Sequence, residues 1–512
     1  MDMLAGALST LFTSEVLLAL MVGVVGGMII GAMPGLSASM AVALLIPITY
    51  GMNAAAGITM LTAVYTSAIY GGSITACLLH TPGTPSSAAT AMDGYALTRQ
   101  GRGLKAIGCS TMSSMIGGTF SAICLLCIAP PLSRVVLYFG SLEYFFLGAF
   151  GLTVIASVAG DNMMKGLMSG FLGILVGCIG LDIFTGTPRF TFGSINLEAG
   201  IQLVPAMIGL FSLSQVMIAV EDIVKGKKSI LDDAASSLSG EMLLTLKELK
   251  QLAFTIVQSS IIGVLVGILP GAGGDVGSWL SYNTAKKTSK HPEKFGHGSL
   301  EGICASETAN NAVTGGALIP MLTLGIPGSG VTAIMLGGLM IKGMQPGYKL
   351  FTEQGDITYC IILGFLAANI LMGVIGLCIA KQVVKISVVP MTILCPLILA
   401  LSLIGAYAIR LNVFDVYVML AFGLIGYFMR KFGFATAPVV LGMILGPMAE
   451  MNWRQAVLLF RGDFVGYFFS RPISIVLAIL TIASLFFPLI VKIINRKAKA
   501  AEDTLNDTAS ED

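Results

Sequence analysis

Apolar runs of about 20 residues, broken by short polar interruptions, fill most of the chain, and that is the length needed to cross a hydrocarbon layer about 30 Å thick. The runs lie near 16–33, 36–50, 55–80, 104–131, 135–158, 164–185 and 201–220. After a polar stretch they resume near 255–270, 301–325, 329–341, 357–380, 388–408, 412–429, 433–449 and 472–494. Some are only half-spans, so the pattern predicts an all-α polytopic membrane protein with about ten to twelve transmembrane spans. It divides into a first transmembrane half (1–220), a polar linker (221–254), a second transmembrane half (255–494) and a charged tail (495–512), expected to be disordered and cytoplasmic. Within the linker, "EMLLTLKELKQLAF" sets Leu243, Leu246, Leu249 and Ala253 on one helical face, which reads as an amphipathic helix at the membrane surface. The start, "MDMLAGALSTLFTSEVLLALMVGVV", has neither a basic segment nor a cleavage site and reads as a retained first span.

The two halves repeat each other. "GAMPG" at Gly31–Gly35 matches "GILPG" at Gly267–Gly271, 236 residues later. "YGGS" at Tyr70–Ser73 matches "TGGA" at Thr314–Ala317 at a distance of 244, and Pro82-Gly83 matches Pro327-Gly328 at 245. The added residues fall in a polar insertion, "AKKTSKHPEKFGHG", Ala285–Gly298. Its four lysines (286, 287, 290 and 294) face an uncharged counterpart, "YGMNAAAG". Conversely "TRQGRGLK" carries Arg99, Arg102 and Lys105 where the second half has only Lys342 and Lys349. Cytoplasmic loops accumulate Lys and Arg, so these opposed asymmetries predict two inverted structural repeats, with 94–105 and 285–298 on the same side.

Each half breaks its apolar pattern at "LLHTPGTPSSAATAMDGY" and "LTLGIPGSGVTAIMLGG". Irregular backbone survives at membrane depth only where it is buried in protein or lines a cavity, and paired broken or re-entrant helices in inverted repeats point to a transporter's central site. Pro82 and Pro327 each remove a donor, and the glycine that follows permits a sharp turn. The chain after each break starts a half-helix whose free N–H groups can hold an anion without Arg or Lys. Thr84, Ser86, Ser87, Ser329 and Thr332 are the candidate donors there. "PGLSAS" at Pro34–Ser39 and "PGAGG" at Pro270–Gly274 repeat the logic. Single Pro-Gly pairs also serve kinking and close packing; four in two matched pairs favour a site.

Composition confirms the class and adds chemistry. The 512 residues are 55% hydrophobic and 11% charged, too few charges for a water-facing surface. The formal net charge of +2 gives no electrostatic case for nucleic acid. Cys124 and Cys127 form a CxxC, but no second CxxC and no nearby His supports a metal or redox site. "GICASETANNAVTGG" carries Glu307, Asn310 and Asn311 into an apolar run, at a cost unless they are used. The asparagine oxygens suit Na⁺ or bridge helices; Glu307 adds charge or carries a proton. Glu301 reads as interfacial, Asp275 and Asp93 as caps or turn-closers, His80 as a packing residue that could shuttle protons, and Arg189 as a loop cation near the membrane. No HExxH and no GxxxxGK[ST] occurs, so neither a metalloprotease nor ATP use is expected of this chain, and it reads as a non-enzyme with no cofactor beyond a coupling ion.

"GAMPGLSASMAVALLIPITYGM", "YGGSITACLLHTPGTPSSAATAMDGYALTRQG", "GILPGAGG" and "GSLEGICASETANNAVTGGALIPMLTLGIPGSG" resemble the large membrane subunit of tripartite tricarboxylate transporters, the TctA family. "TPRFTFG" and "VPAMIGLFSLSQVM" are similar to segments of it as well. The resemblance implies a multi-pass secondary transporter of the bacterial inner membrane that imports carboxylates with Na⁺ or H⁺. It also implies two partners, a small integral-membrane subunit and a periplasmic solute-binding protein. Carried over by motif, the site comprises Pro34, Gly35, Ser37, Pro82, Gly83 and Thr84 from the first half, with Ser86 beside them. The second half contributes Pro270, Gly271, Gly273, Pro327, Gly328 and Ser329, and Asn310, Asn311, Glu307 and Thr332 are its coupling-ion candidates. Asp275 and Gln215 depart from the family pattern and leave the ion ligands open. A stand-alone ion-coupled antiporter or uniporter is the alternative reading.

Overall fold

The computed structural model describes residues 2–33, 36–158, 163–225, 241–269, 273–386, 391–460 and 462–484. In chain order the helices are α1 (Asp2–Leu11), α2 (Ser14–Gly31), α3 (Ala38–Leu45), α4 (Ala54–Leu79), α5 (Ala88–Arg99), α6 (Gly103–Val135), α7 (Ser141–Val158) and α8 (Met163–Gly177). Next come α9 (Ile195–Glu198), α10 (Leu203–Met207) and, after a π-helical stretch at Ile208–Leu213, α11 (Ser214–Val224). The second half holds α12 (Leu246–Ile268), α13 (Gly273–Thr288), α14 (Leu300–Leu324), α15 (Gly330–Ile341), α16 (Tyr348–Thr352), α17 (Gly355–Ile386) and α18 (Met391–Ala408). The order ends with α19 (Val413–Lys431), α20 (Ala437–Phe460), α21 (Phe464–Phe469) and α22 (Pro472–Ser484). The only sheet among the described residues is a hairpin of β1 (Gly180–Leu181) and β2 (Pro188–Arg189), so the protein is all-α.

Among the described residues eight helices, counting Leu203–Val224 as one, are long and apolar enough to cross a membrane. Over their described residues α3, α8, α15 and α22 are apolar but shorter. α13 is a departure, since its polar sequence showed no apolar run. The amphipathic segment at 241–254 is not a separate surface helix. Thr245 and Glu248 form a reciprocal cap, and residues 246–254 become the first turns of α12. No breaker follows before Leu269, so the helix continues into its apolar part.

Contacts divide the chain into two compact units that cut across the sequence halves. The first comprises 1–138 and 192–432, the second 139–191 and 433–512. In the first, α2, α4, α6 and α17 share a core around Val24, Met28, Tyr70, Ile107 and Met372. α4 is 94% buried along its spanning window, so it faces protein and not lipid. α14 is likewise buried over nearly its whole length. Both long helices are started by a side-chain cap, Asn53 to Ala56 N (2.8 Å) and Ser299 to Gly302 N (3.2 Å). Both are stopped by a left-handed residue, His80 (φ 53°) and Gly325 (φ 71°).

Close helix contacts recur along the two halves. A methyl on Gly27 would sit 2.6 Å from the Val64 carbonyl oxygen, and one on Gly263 would sit 2.6 Å from that of Ala309. Gly71 meets the Met28 carbonyl as Gly316 meets that of Val264. The breaks do the same: Gly83 lies against the Gly31 carbonyl and Gly72 Cα, Gly328 against the Gly267 carbonyl and Ala317 Cα. Every pair keeps an offset of 236 for α2 and α12 and 245 for α4 and α14. The packing therefore sets Gly71 opposite Gly316, one residue from the sequence alignment, because the break and the long helix share one register. Small residues let these backbones touch, which is how helices hold together without a hydrophobic driving force in lipid.

In the second unit α20 packs on α7 and α8, with Gly442 against the Gly170 carbonyl. Asp182 closes the hairpin by accepting from Phe184 N (2.9 Å) and Thr185 N (2.7 Å). It also pairs with Arg189 and with Arg454 (2.6 Å), while Arg189 grips Glu450 with both terminal nitrogens (3.0 and 2.7 Å). The expected loop cation is thus saturated by acids. Its guanidinium holds the Glu450 carboxyl below the usual carboxylate range, so the pair's support is present at neutral pH and is lost as pH falls through that lowered value. Glu143 is buried and takes Arg471 (3.1 Å) and Ser474 (2.7 Å).

Gly27→Ala is expected to destabilise the protein by about 1–3 kcal/mol, because the added carbon meets backbone that has no room to shift. Gly26→Ala, one residue away with open space around it, should be neutral or slightly stabilising. Thermal unfolding of both variants in detergent measures the contrast, and equal melting temperatures would contradict the packing.

Candidate functional site

The first break folds back on its own helix. Gly83 N donates to the Gly72 carbonyl (3.1 Å), and Ser87 Oγ donates to the same oxygen (3.1 Å). Thr84 Oγ1 lies 3.1 Å from Ser86 Oγ, with both side chains buried. α5 starts at Ala88 without a side-chain cap, after a 3-10 turn at Pro85–Ser87 in which Ser87 N donates to the Thr84 carbonyl (3.0 Å) and Ala88 N to that of Pro85. The second break is built differently. Ser329 and Thr332 form a reciprocal cap, each hydroxyl accepting from the other's backbone N–H (3.3 and 2.8 Å). The donors that sequence placed in a site there are spent on the helix itself.

Each break is addressed by the long helix of the other half. Tyr65 on α4 brings its hydroxyl to 3.2 Å from Ser329 Oγ. Asn310 on α14 stands at the equivalent position, 245 residues on, beside the first break. A carbon added to Gly274 of α13 would sit 2.8 Å from Asn310 Oδ1 and 2.9 Å from Ser86 Cβ, so these three meet at one point. Tyr65 has its partner. Asn310 is fully buried; neither polar atom of its side chain has a partner within 3.5 Å, and its nearest polar neighbour on the same helix is the Glu307 carboxylate. A buried amide without hydrogen bonds costs on the order of 1–3 kcal/mol per group.

Between the two lies a direct contact of equivalent positions. Asn311 Nδ2 donates to Thr66 Oγ1 (3.0 Å), and Thr66 Oγ1 donates to Asn369 Oδ1 of α17 (2.6 Å). Asn311 Oδ1 remains unpartnered. Glu307, one turn earlier on the same face, accepts from Thr90 of α5 (2.5 Å) and Ser114 of α6 (2.9 Å). It is fully buried, and no cation pairs with it among the described residues. A carboxylate so placed is tolerated with a proton or with a bound cation.

Of the residues singled out from sequence, Asn310 and Ser86 meet at Gly274, Thr84 lies beside Ser86 and Gly83 anchors their loop, while Glu307 is bound by Thr90 and Ser114 and Asn311 by Thr66. Ser329 and Thr332 stand at the twin site, where Gly328 anchors the loop after Pro327. Ser37 caps α3 through Met40 N (3.2 Å) and is not brought to either cluster by a recorded bond. Gly273 takes φ 65°, a backbone that favours glycine, to begin α13. Pro34, Gly35, Pro270 and Gly271 lie outside the described residues. Tyr65, Thr66, Thr90, Ser114, Gly274 and Asn369 belong to the site but were not singled out. Hydroxyls and an amide inside apolar runs were the available signal.

Other expectations change. Asp93 caps no helix of its own. It is buried in α5, and its Oδ1 accepts from Gly296 N (2.8 Å), Gly298 N (2.9 Å) and Ser299 N (2.8 Å), while Oδ2 accepts from Tyr282 (2.8 Å). Asp275 sits inside the first turn of α13, not at its cap. His80 is exposed at the end of α4, its ring 4.9 Å from that of Tyr95. Gln215 accepts from Arg430 (2.8 Å). Cys124 and Cys127 are free thiols.

Long apolar helices, broken at buried turns and packed through facing glycines, define a polytopic α-helical membrane protein. The model of the tripartite tricarboxylate transporter TctA family matches residues 17–441, and the chain belongs to that family. Two relatives come from Agrobacterium vitis. An "uncharacterized 52.8 kDa protein in TAR-I ttuC' 3'region" is 35% identical over 481 residues, covering 93% of this chain and 94% of the relative. An "uncharacterized protein in TAR-II ttuC' 3'region" is 38% identical over 212 residues, 41% of this chain and 87% of the relative. No solved structure matches.

Asp93→Ala should leave three backbone donors of the 296–299 turn without their acceptor, at a cost of roughly 3 kcal/mol or more. Limited proteolysis within 289–298 is expected to accelerate at least ten-fold. Cleavage at the wild-type rate would show that the turn does not depend on that carboxylate.

Proposed function

We propose that this TctA-family chain is the permease subunit of a tripartite importer of di- or tricarboxylates, coupled to Na⁺ or H⁺. The observation that carries the reading is Asn310, whose unpartnered amide faces the first break and Gly274. Backbone N–H groups and hydroxyls there offer an anion its donors, while Asn310 Oδ1, Asn311 Oδ1 and Glu307 offer a hard cation oxygen ligands one helical turn away. An anion and a cation held side by side neutralise each other, which is the physical basis of symport. Thr332, engaged in its cap, is the weakest of the four coupling-ion candidates.

We read the halves as inverted repeats. α6 and α17 occupy equivalent places in them, and they run antiparallel where they touch: Gly118 meets Asn369, Met115 meets Gly373 and Thr111 meets Gly376. A two-fold axis in the membrane plane produces that crossing, and positions 66 and 311 touching each other supports it. The positive segments 94–105 and 285–298 also meet, through Gln100 Nε2 to the His297 carbonyl (2.9 Å), in accord with one shared, cytoplasmic side. The membrane would be the bacterial inner membrane. A small membrane subunit and a periplasmic binding protein, as the family's tripartite name suggests, would deliver the solute. Alternating access would proceed by an elevator-like movement, which suits paired breaks around one buried centre; cross-links that pin the bundles without slowing turnover would exclude it.

Thr84→Val with Ser86→Ala is expected to lower carboxylate uptake at least ten-fold in vesicles holding all three components, while Ser329→Ala mainly lowers stability. Equal uptake losses at the two breaks would argue against a site at the first. Asn310→Ala should raise the Na⁺ or H⁺ concentration for half-maximal uptake by about ten-fold, on the scale of one lost charge-assisted contact. An unchanged cation dependence would remove Asn310 from the ion's ligands.

A further inference from the structure

A groove of about 740 Å³ lies at the end of the first unit where the positive segments meet, between the start of α12 and the polar insertion after α13. Arg102, Lys250, Lys290 and Lys294 line it, with His291 among them. Its acids are already engaged. Glu248 is paired with Lys105 (2.7 Å) and caps its own helix, and Glu301 takes the hydroxyls of Thr255 (3.0 Å) and Ser289 (2.6 Å). None of the four lining cations has an ion pair among the described residues. Like charges gathered around one groove repel each other, and an anion seated between them relieves that repulsion.

The surroundings indicate which anion. One turn beyond Lys250, α12 presents Phe254, Val257, Ile261 and Leu265 outward, 46–65% exposed at three- and four-residue steps. Phe254 also lines the groove. The positive groove therefore opens where an outward-facing apolar stripe begins, the arrangement expected of a surface at the level of phospholipid headgroups. A free anion gains nothing from that stripe. A phospholipid has a phosphate for the lysines and acyl chains to lie along the helix. We propose that this groove is a specific site for an anionic phospholipid, which ties α12 to the insertion between α13 and α14.

The full chain, purified in detergent, can be challenged with phosphatidylglycerol and phosphatidylcholine, and the retained lipid read by native mass spectrometry. Wild type is expected to retain phosphatidylglycerol but not phosphatidylcholine. Combined Lys250→Gln, Lys290→Gln and Lys294→Gln should cut retention about ten-fold or more. Lys286→Gln with Lys287→Gln, in the same insertion but outside the groove lining, should retain as wild type does. Lys250→Arg, Lys290→Arg and Lys294→Arg together should bind as wild type does, which shows that loss in the glutamine variant is not misfolding. Equal retention by the glutamine variant and wild type overturns the proposal. So does displacement of the lipid by millimolar inorganic phosphate, which would mark a site for a soluble anion.

Discussion

A backbone that leaves the helical path inside a hydrocarbon layer must find partners for its N–H and C=O groups within the protein, and the rest of this architecture follows from that. The first break meets the requirement by lying on α4 itself, with Gly83 N and Ser87 Oγ both on the Gly72 carbonyl. That contact is possible only if no side chain intervenes, so glycine or alanine stands at 31, 72 and 83 and again at 267, 317 and 328. The long helices α4 and α14 must then be buried on all sides, since an interrupted strand of chain covers each. Their burial in turn requires the polar groups they carry to be paired with each other or kept for a ligand.

Spans were readable because apolar length reports membrane thickness directly. Most helices lie where the hydrophobic runs placed them, and even the short ones, α3 and α15, coincide with half-length runs. α13 was not readable: "GGDVGSWLSYNTAKKT" has no apolar stripe, and it is helical because it packs on α14 and α12. The duplication was legible to within one residue. The misplacement at the paired glycines arose because identity of letters set Gly72 with Gly316, whereas backbone contact sets it with Ala317.

At the candidate site, the Pro-Gly landmarks told where the chain breaks but not how the polar groups beside each break are satisfied. That depended on a tyrosine at 65 and an asparagine at 310, related by the repeat yet unlike in chemistry. One hydroxyl closes its pocket on Ser329. One amide leaves its pocket with unmet polar atoms. Partners such as Thr90, Ser114 and Asn369 come from helices far along the chain, and no local spacing announces them. Charge was legible in part: opposed lysine and arginine asymmetries assigned two loops from different halves to one side, and Gln100 of one loop donates to the His297 carbonyl of the other.

Asp93 carries a consequence for how the chain could be divided. It stands on α5 in the first half of the sequence, yet the amides of Gly296, Gly298 and Ser299 that it serves belong to the second. Cutting the polypeptide between them would turn one internal fastening into a contact between two fragments, whose occupancy would then fall on dilution.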